Sequence, residues 1–181
     1  ASEGIAALTD AVWTATAVKH DAAVIEATLE LVYCVGIRAG KLGEAQQWTR
    51  HADAAIDRVQ SEREANQMRL LGYRGLLAQD EGRFDLALDL TQQAVAAAER
   101  LLGPDALQVA TFLGYLGSID EKLGRYTEAL EHHSRGLEIS ERIFGPDHPR
   151  VGIQCNNIAM IYSHLGDHEA ALRYQDRDLQ I

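Results

Sequence analysis

A period of 42 residues runs through the chain and limits what it can fold into. The tripeptide Gly-Pro-Asp at 103–105 recurs at 145–147, 42 positions later. A glycine and an alanine repeat at the same interval, as Gly40, Gly82, Gly124 and Gly166 and as Ala45, Ala87, Ala129 and Ala171. We call these residues the period glycines and the period alanines. A fixed period of this length predicts stacked copies of one small supersecondary unit.

Each period is predicted to form two helices. Alanine, leucine, glutamate and glutamine, which are strong helix formers, dominate the sequence between the turns. The period glycine ends the first helix, and the Gly-Pro-Asp segment ends the second because proline cannot continue a helix. We expect a lone helix over 4–18, then pairs over 21–39 and 42–58, 62–80 and 84–101, 105–122 and 126–142, and 147–164 and 168–181.

The predicted fold is all-α, an α-solenoid of antiparallel helix hairpins with about nine helices in a right-handed superhelix. One hairpin cannot bury its apolar face alone, so stacked neighbours must bury it. We expect a single array over 1–181, in which 1–18 is the second helix of a truncated repeat. Repeats one to four then cover 19–60, 61–102, 103–144 and 145–181. The chain lacks an initial Met and ends inside a helical pattern, so we expect it to be part of a longer protein.

Charge and composition exclude several classes of function. The net charge of -10 and the lack of a Lys/Arg cluster argue against nucleic-acid binding. No 18-residue apolar run is present, so no membrane span is expected. Cys34 and Cys155 lie in apolar helical stretches, which predicts buried, reduced thiols and a cytoplasmic location.

The fourth repeat resembles a tetratricopeptide repeat. It has a small residue at Ala159, an aromatic residue one turn later at Tyr162, and a Gly-Asp turn at 166–167. The 42-residue period and the Phe-Gly-Pro-Asp-His-Pro linker at 144–149 are similar to the kinesin-light-chain type of repeat. The resemblance covers about residues 20–181. Long bacterial proteins carry such arrays, often behind a signalling domain such as a Ser/Thr kinase.

Some repeats depart from this pattern. Repeat one has Tyr33 where the small residue belongs and Gly36 where the aromatic residue is expected. At that aromatic position, repeat two has Ala78 and repeat three has Asp120. We expect the fold to tolerate these changes, with less regular packing in the first two repeats.

The resemblance implies that the first helix of each hairpin lines a concave groove. It implies the candidate groove residues Glu30, Arg38, Arg69, Tyr73, Gln79, Tyr115, Ser118, Lys122, Asn156, Asn157, Met160 and His164. The same positions include Leu31, Cys34, Ile37, Gly72, Leu76, Asp80, Thr111, Gly114, Glu121 and Ser163. The charges among these residues balance, so neither an acidic nor a basic ligand is predicted.

Two residue pairs stand out in this set. Asn156 and Asn157 offer amide donors and acceptors that could hold a peptide backbone, although both could equally be solvated helix residues. Tyr73 and Tyr115 occupy equivalent positions beside a glycine, and either ligand contact or packing between repeats would explain them.

The sequence therefore predicts a non-catalytic scaffold that binds a peptide or protein segment in its groove. The alternative is a structural spacer or self-association module, in which exposed end faces form a homo-oligomer. No catalytic set, metal-ligand spacing or phosphate loop is recognisable, so no enzyme activity, cofactor or metal is expected.

Overall fold

The computed structural model describes residues 2–181, and no strand occurs among them. Nine α-helices form in this part of the chain, and α2 continues into a π-helical segment, Val32–Arg38. The helices are α1 (Ser2–Ala17), α2 (Asp21–Leu31), α3 (Leu42–Arg58), α4 (Arg63–Asp80), α5 (Phe84–Leu102), α6 (Leu107–Lys122), α7 (Tyr126–Phe144), α8 (Pro149–Leu165) and α9 (His168–Gln180). The predicted all-α fold with about nine helices is confirmed.

The chain divides within α5 into two compact units. The N-terminal unit ends at Ala97, and the C-terminal unit covers Ala98–Ile181. In the N-terminal unit α1 packs on α2, α2 on α3, and α3 on α4. In the C-terminal unit α6 packs on α7, α7 on α8, and α8 on α9. Within each unit these helices thus pack on their sequence neighbours, as in a series of hairpins. The predicted repeat boundaries within the single array stay a prediction.

The turns inside the hairpins form where the period glycines predict them. The period glycines have positive φ angles, from 66° at Gly40 to 78° at Gly166. At the end of α8 the Gly166 N–H donates to the carbonyls of Tyr162 and Ser163, which closes the helix. Asp167 then caps α9 by accepting a hydrogen bond from the Ala170 N–H at 3.0 Å. These contacts fix the short connection between α8 and α9.

The period alanines lie at the closest approach between paired helices. Ala45, Ala87 and Ala129 are completely buried, and Ala171 is nearly so. A methyl group is the largest side chain that lets the two backbones approach this closely. The larger core side chains surround these contacts. They include Leu29, Val32, Ile56 and Leu70 in the N-terminal unit and Val151, Cys155 and Ile158 in the C-terminal unit.

The π-helical segment in repeat one was not predicted. It contains Tyr33, which occupies the position held by Gly75, Gly117 and Ala159 in the later repeats. A π turn holds more residues than an α turn, so it changes which side chain faces the partner helix. In this structure Gly36 takes the close-packing role, since a Cβ there would lie 2.8 Å from the Ala45 methyl. The local irregularity therefore accommodates a bulky residue at a position for a small one.

The two cysteines differ in their surroundings. Cys155 is completely buried, as predicted, and burial raises the pKa of its thiol. Cys34 is only partly buried and lines a cleft, so the prediction of a buried thiol is wrong at this position. Both thiols are free.

Candidate functional site

An ion-paired cluster forms on the first helices of repeats one and two. The guanidinium of Arg69 donates two hydrogen bonds to the carboxylate of Glu26, at 2.6 and 3.0 Å, and lies 3.4 Å from Glu30. The bonds from Arg69 hold the pKa of Glu26 below its usual value, and they raise the pKa of Arg69 in turn. Glu26, Glu30 and Arg69 form what we call the α2–α4 charge cluster. Two of its members, Glu30 and Arg69, are predicted groove residues.

Tyr73 lies next to this cluster. Its ring packs against the ring of Tyr33 with centroids 5.6 Å apart. Burial raises the pKa of the Tyr73 hydroxyl. Packing against Tyr33 is the role that the alternative interpretation assigned to this tyrosine.

Further predicted groove positions of repeats one and two lie elsewhere in the N-terminal unit. Arg38 and Cys34 line a cleft of about 420 Å³ together with Gly4, Ile5 and Leu8 of α1. Gln79 is half-buried at the end of α4. The expectation that Leu31 faces the groove is wrong. Leu31 is completely buried in the core, where α2 passes into the π-helical segment.

A second cleft lies between α6 and α8 in the C-terminal unit, and we call it the α6–α8 cleft. Its volume is about 210 Å³. Tyr115 and Asn157, both predicted groove residues, line it together. The remaining lining residues are Leu107, Ala110, Thr111, Gly114, Ser140, Arg150, Ile153 and Gln154. The cleft thus combines aromatic and aliphatic surface with hydroxyl, amide and guanidinium groups.

The floor of the α6–α8 cleft is fixed by a buried polar contact. The Gln154 side chain is 8% exposed, and its Oε1 lies 2.9 Å from Nδ1 of His133. Its amide nitrogen lies close to two glycines. A Cβ added to Gly114 would be 3.3 Å from this nitrogen, and one added to Gly136 would be 3.2 Å from it. These glycines make room for the Gln154 amide, and Gly114 also leaves the Tyr115 side of the cleft open.

The structure does not bring the two asparagines into one site. Asn157 is half-buried in the α6–α8 cleft, whereas Asn156 lines a different cleft of about 300 Å³ with Asp178 and Ile181. Consecutive residues on a helix point about 100° apart, which explains the separation. Met160 is 43% exposed, and its sulfur lies 3.9 Å from the Asn156 amide.

The remaining predicted residues lie near the ends of α6 and α8. The imidazole of His164 stacks on the ring of Tyr126 at 5.2 Å and lies 3.5 Å from the Glu121 carboxylate. Ser118 is half-buried on α6, and Lys122 is exposed at its end. None of these three residues lines the α6–α8 cleft.

Sequence reasoning missed several residues of these sites. Glu26 is one turn before Glu30, and an i, i+4 spacing could have placed it in the same cluster. On α8, Arg150 and Gln154 lie outside the groove positions that the resemblance implies, and Ile153, which is equivalent to Arg69 and Thr111, was not named among them. Their helical spacing relative to Asn157 was the available signal, since i, i+3, i+4 and i+7 share a helix face.

Over residues 2–181, no set of three or more His, Cys, Asp and Glu side chains is arranged to hold a metal ion. In that same range, no helix has the length and apolarity needed to cross a membrane.

The family model described as "Tetratricopeptide repeat" matches residues 108–181. This segment contains α7, α8 and α9 and nearly all of α6. Curated proteins searched by sequence gave no match.

Several solved structures resemble the chain along nearly its whole length. BtubC (BKLC) from P. vanneervenii has a TM-score of 0.83 and 20% identity, over 98% of this chain and 72% of its own. The TPR-like repeats of a kinesin light chain from Podosopora anserina have a TM-score of 0.64 and 19% identity, over 98% of this chain and 84% of their own. The MamA protein has a TM-score of 0.59 and 15% identity, over 99% of this chain and 92% of its own.

These matches confirm the predicted resemblance to tetratricopeptide arrays of the kinesin-light-chain type. Sequence identity at this level establishes the fold and not the ligand.

Proposed function

We propose that this chain is a non-catalytic scaffold that binds an extended segment of a partner protein in the α6–α8 cleft. The observation that carries the proposal is the grouping of Tyr115 and Asn157 around a cleft in the C-terminal unit. Two helices approach the partner there, so one segment can touch both. A cytoplasmic setting in a larger regulatory protein, such as a bacterial signalling protein, fits this role.

The lining residues suggest how such a segment is held. The Asn157 amide can donate to a backbone carbonyl and accept from a backbone N–H, which requires no particular side chain in the partner. Tyr115 and Ile153 supply surface for one apolar side chain, and an aromatic residue offers contact area at little entropic cost. We expect micromolar affinity, about -8 kcal/mol, because the contact area is small.

The adjacent asparagines provide a matched test. A random peptide library is selected against the chain, and the selected peptides are titrated by fluorescence polarisation. Tyr115→Ala combined with Asn157→Ala should weaken binding at least about tenfold. Asn156→Ala, which changes the same residue type one position away, should bind as the unmodified chain does. Equal binding by all variants would contradict the assignment of the cleft.

Self-association is a second candidate function, and the outer face of α9 favours it. Leu172 and Leu179 are 59% and 84% exposed. The residues 42 positions earlier, Leu130 and Leu137, are packed in the core of the C-terminal unit. Sedimentation at two concentrations tests this function. Concentration-dependent dimers that disappear in Leu172→Glu, Leu179→Glu would support it, and a monomer at both concentrations would exclude it.

A further inference from the structure

At two equivalent positions of repeats three and four, one on the first helix and one on the second, the side chains lie between the two helices of the hairpin. In repeat four, Tyr162 and Tyr174 stack with ring centroids 5.8 Å apart. In repeat three the same positions hold Asp120 and His132, whose carboxylate and Nδ1 lie 3.0 Å apart. Each of these pairs joins the first helix to the second through a direct side-chain contact.

Repeat two holds a much smaller pair at these positions. Its residues are Ala78 on α4 and Leu90 on α5, which stand 84 residues before Tyr162 and Tyr174. A cleft of about 280 Å³ opens beside them, between α3, α4 and α5 of the N-terminal unit. Leu77 and Leu86 complete its apolar surface. Ala78 and Leu90, the equivalents of the two stacked tyrosines of repeat four, both line this cleft, so its apolar surface occurs at the positions that hold rings in repeat four.

Charged side chains surround this apolar surface. Arg50, Arg74 and Arg83 line the cleft, and they come from α3, α4 and the turn before α5. Arg74 is held by the carboxylate of Asp53. Arg83 lies 3.3 Å from Glu81, the acidic residue that lines the cleft.

Glu81 is itself engaged by a second donor. The amide of Gln46 donates to its carboxylate at 2.5 Å. The repulsion that Glu81 would exert on an anion is therefore reduced by both Gln46 and Arg83. Of the three arginines, Arg50 has no ion pair with any described residue, and it is exposed to solvent.

Arg50 can therefore pair with an anionic ligand without losing an ion pair within the protein. A guanidinium binds a carboxylate through two parallel hydrogen bonds, and such charge-assisted bonds are stronger than neutral ones. We propose that the cleft between α3, α4 and α5 binds a small aromatic carboxylate. The ring packs on Ala78, Leu77 and Leu90, and the carboxylate pairs with Arg50.

The test uses 2-naphthoate as the probe, with the full chain and two readouts. Isothermal titration calorimetry gives the affinity and the stoichiometry, and methyl NMR spectra follow the Ala78 signal. We expect one saturable site, with the Ala78 methyl among the largest shifts. Neutral 2-naphthamide should bind about tenfold more weakly, since it cannot form the charged pair. Absence of binding, or a shift map centred elsewhere, overturns the proposal.

Three variants separate the two parts of the site. Ala78→Tyr places the aromatic residue of repeat four at the cleft, so a folded variant should have the cleft filled and should not bind naphthoate. Arg50→Gln should reduce naphthoate binding to the level of the amide. Arg58→Gln, two turns further along α3 and outside the cleft, should leave binding unchanged.

Arg50→Gln keeps the test decisive even if Ala78→Tyr does not fold, because Arg50 is exposed and the substitution leaves the core intact. Equal naphthoate affinity in Arg50→Gln and the unmodified chain would overturn the assignment of the carboxylate. Naphthoate binding by a folded Ala78→Tyr variant would overturn the assignment of the ring.

Discussion

Gly117 on α6 lies directly against the imidazole ring of His133 on α7. A Cβ at residue 117 would meet the ring at 2.5 Å. The ring cannot move aside freely, because His133 is 1% exposed and its Nδ1 is bonded to Gln154 at 2.9 Å. The glycine and the histidine are therefore one packing unit, in which a larger residue at position 117 requires a smaller one at position 133.

Gly117→Ala is expected to destabilise the chain through this contact. Alanine raises helix propensity by about 1 kcal/mol, but overpacking a core costs about 1 to 3 kcal/mol. The net loss in the free energy of unfolding should be up to about 2 kcal/mol, measured by urea denaturation. The same substitution in a His133→Ala background should be neutral or stabilising. An equal loss in both backgrounds would mean that the His133 ring is not the obstacle.

The buried imidazole also predicts a pH dependence. Burial holds the pKa of His133 below its usual value of 6.5, so the folded chain keeps this histidine neutral when the unfolded chain protonates it. The unfolded state then binds more protons, and the free energy of unfolding falls as pH drops below about 6.5. The loss should level off once the pH is below the folded-state pKa.

His133→Gln isolates this contribution, because glutamine is neutral at every pH and can still bond to Gln154. Chemical denaturation of both chains between pH 5 and 8 gives the difference in free energy of unfolding. We expect the stability of the unmodified chain relative to the variant to fall below pH 6.5 and to be constant above it. A difference that does not vary with pH would contradict a buried neutral His133.

The helix boundaries were predictable because turn chemistry repeats with the period. Local steric conditions require a glycine where the first helix ends and an alanine where the two helices are closest. Both residue types can be recognised directly in the sequence. The π-helical segment was not predictable in this way. It depends on how Tyr33 fits against a helix that is distant in sequence, and only the absence of a small residue at that position hinted at it.

The candidate sites were predictable only in part, for a related reason. Tyr115 and Asn157 meet because equivalent positions on neighbouring first helices face each other. Asn156 was grouped with Asn157 by adjacency in sequence, although helical rotation separates the two side chains. The cleft beside Ala78 could not be predicted from one helix alone. It depends on Ala78 of α4 and on Leu90 of α5, the residue equivalent to Tyr174, which line it together.

The turn geometry predicts opposite effects for two glycines. Gly166 has a φ of 78°. Gly166→Ala should therefore lower the free energy of unfolding by about 1 kcal/mol, because a residue with a Cβ is strained in the left-handed region. Gly43 lies in the first turn of α3, where a Cβ would meet no heavy atom within 4 Å. Gly43→Ala should therefore stabilise the chain by up to about 1 kcal/mol. Thermal denaturation of both variants checks the prediction, and shifts of the same sign would contradict it.

The cap of α9 allows a comparison between equivalent turns. Asp167 accepts a hydrogen bond from the Ala170 N–H at 3.0 Å, whereas Lys41 precedes α3 without a side-chain cap. Asp167→Ala should lower the free energy of unfolding by about 1 kcal/mol, because an orphan N–H of the first turn loses its acceptor. Asp167→Asn keeps an acceptor oxygen and should recover most of the loss.

Lys41→Ala removes only an exposed ion pair with Glu44, so its effect should stay within about 0.5 kcal/mol. Urea denaturation of the three variants measures these differences, and an equal cost for the alanine substitutions at Asp167 and Lys41 would show that the hydrogen bond to Ala170 does not stabilise α9.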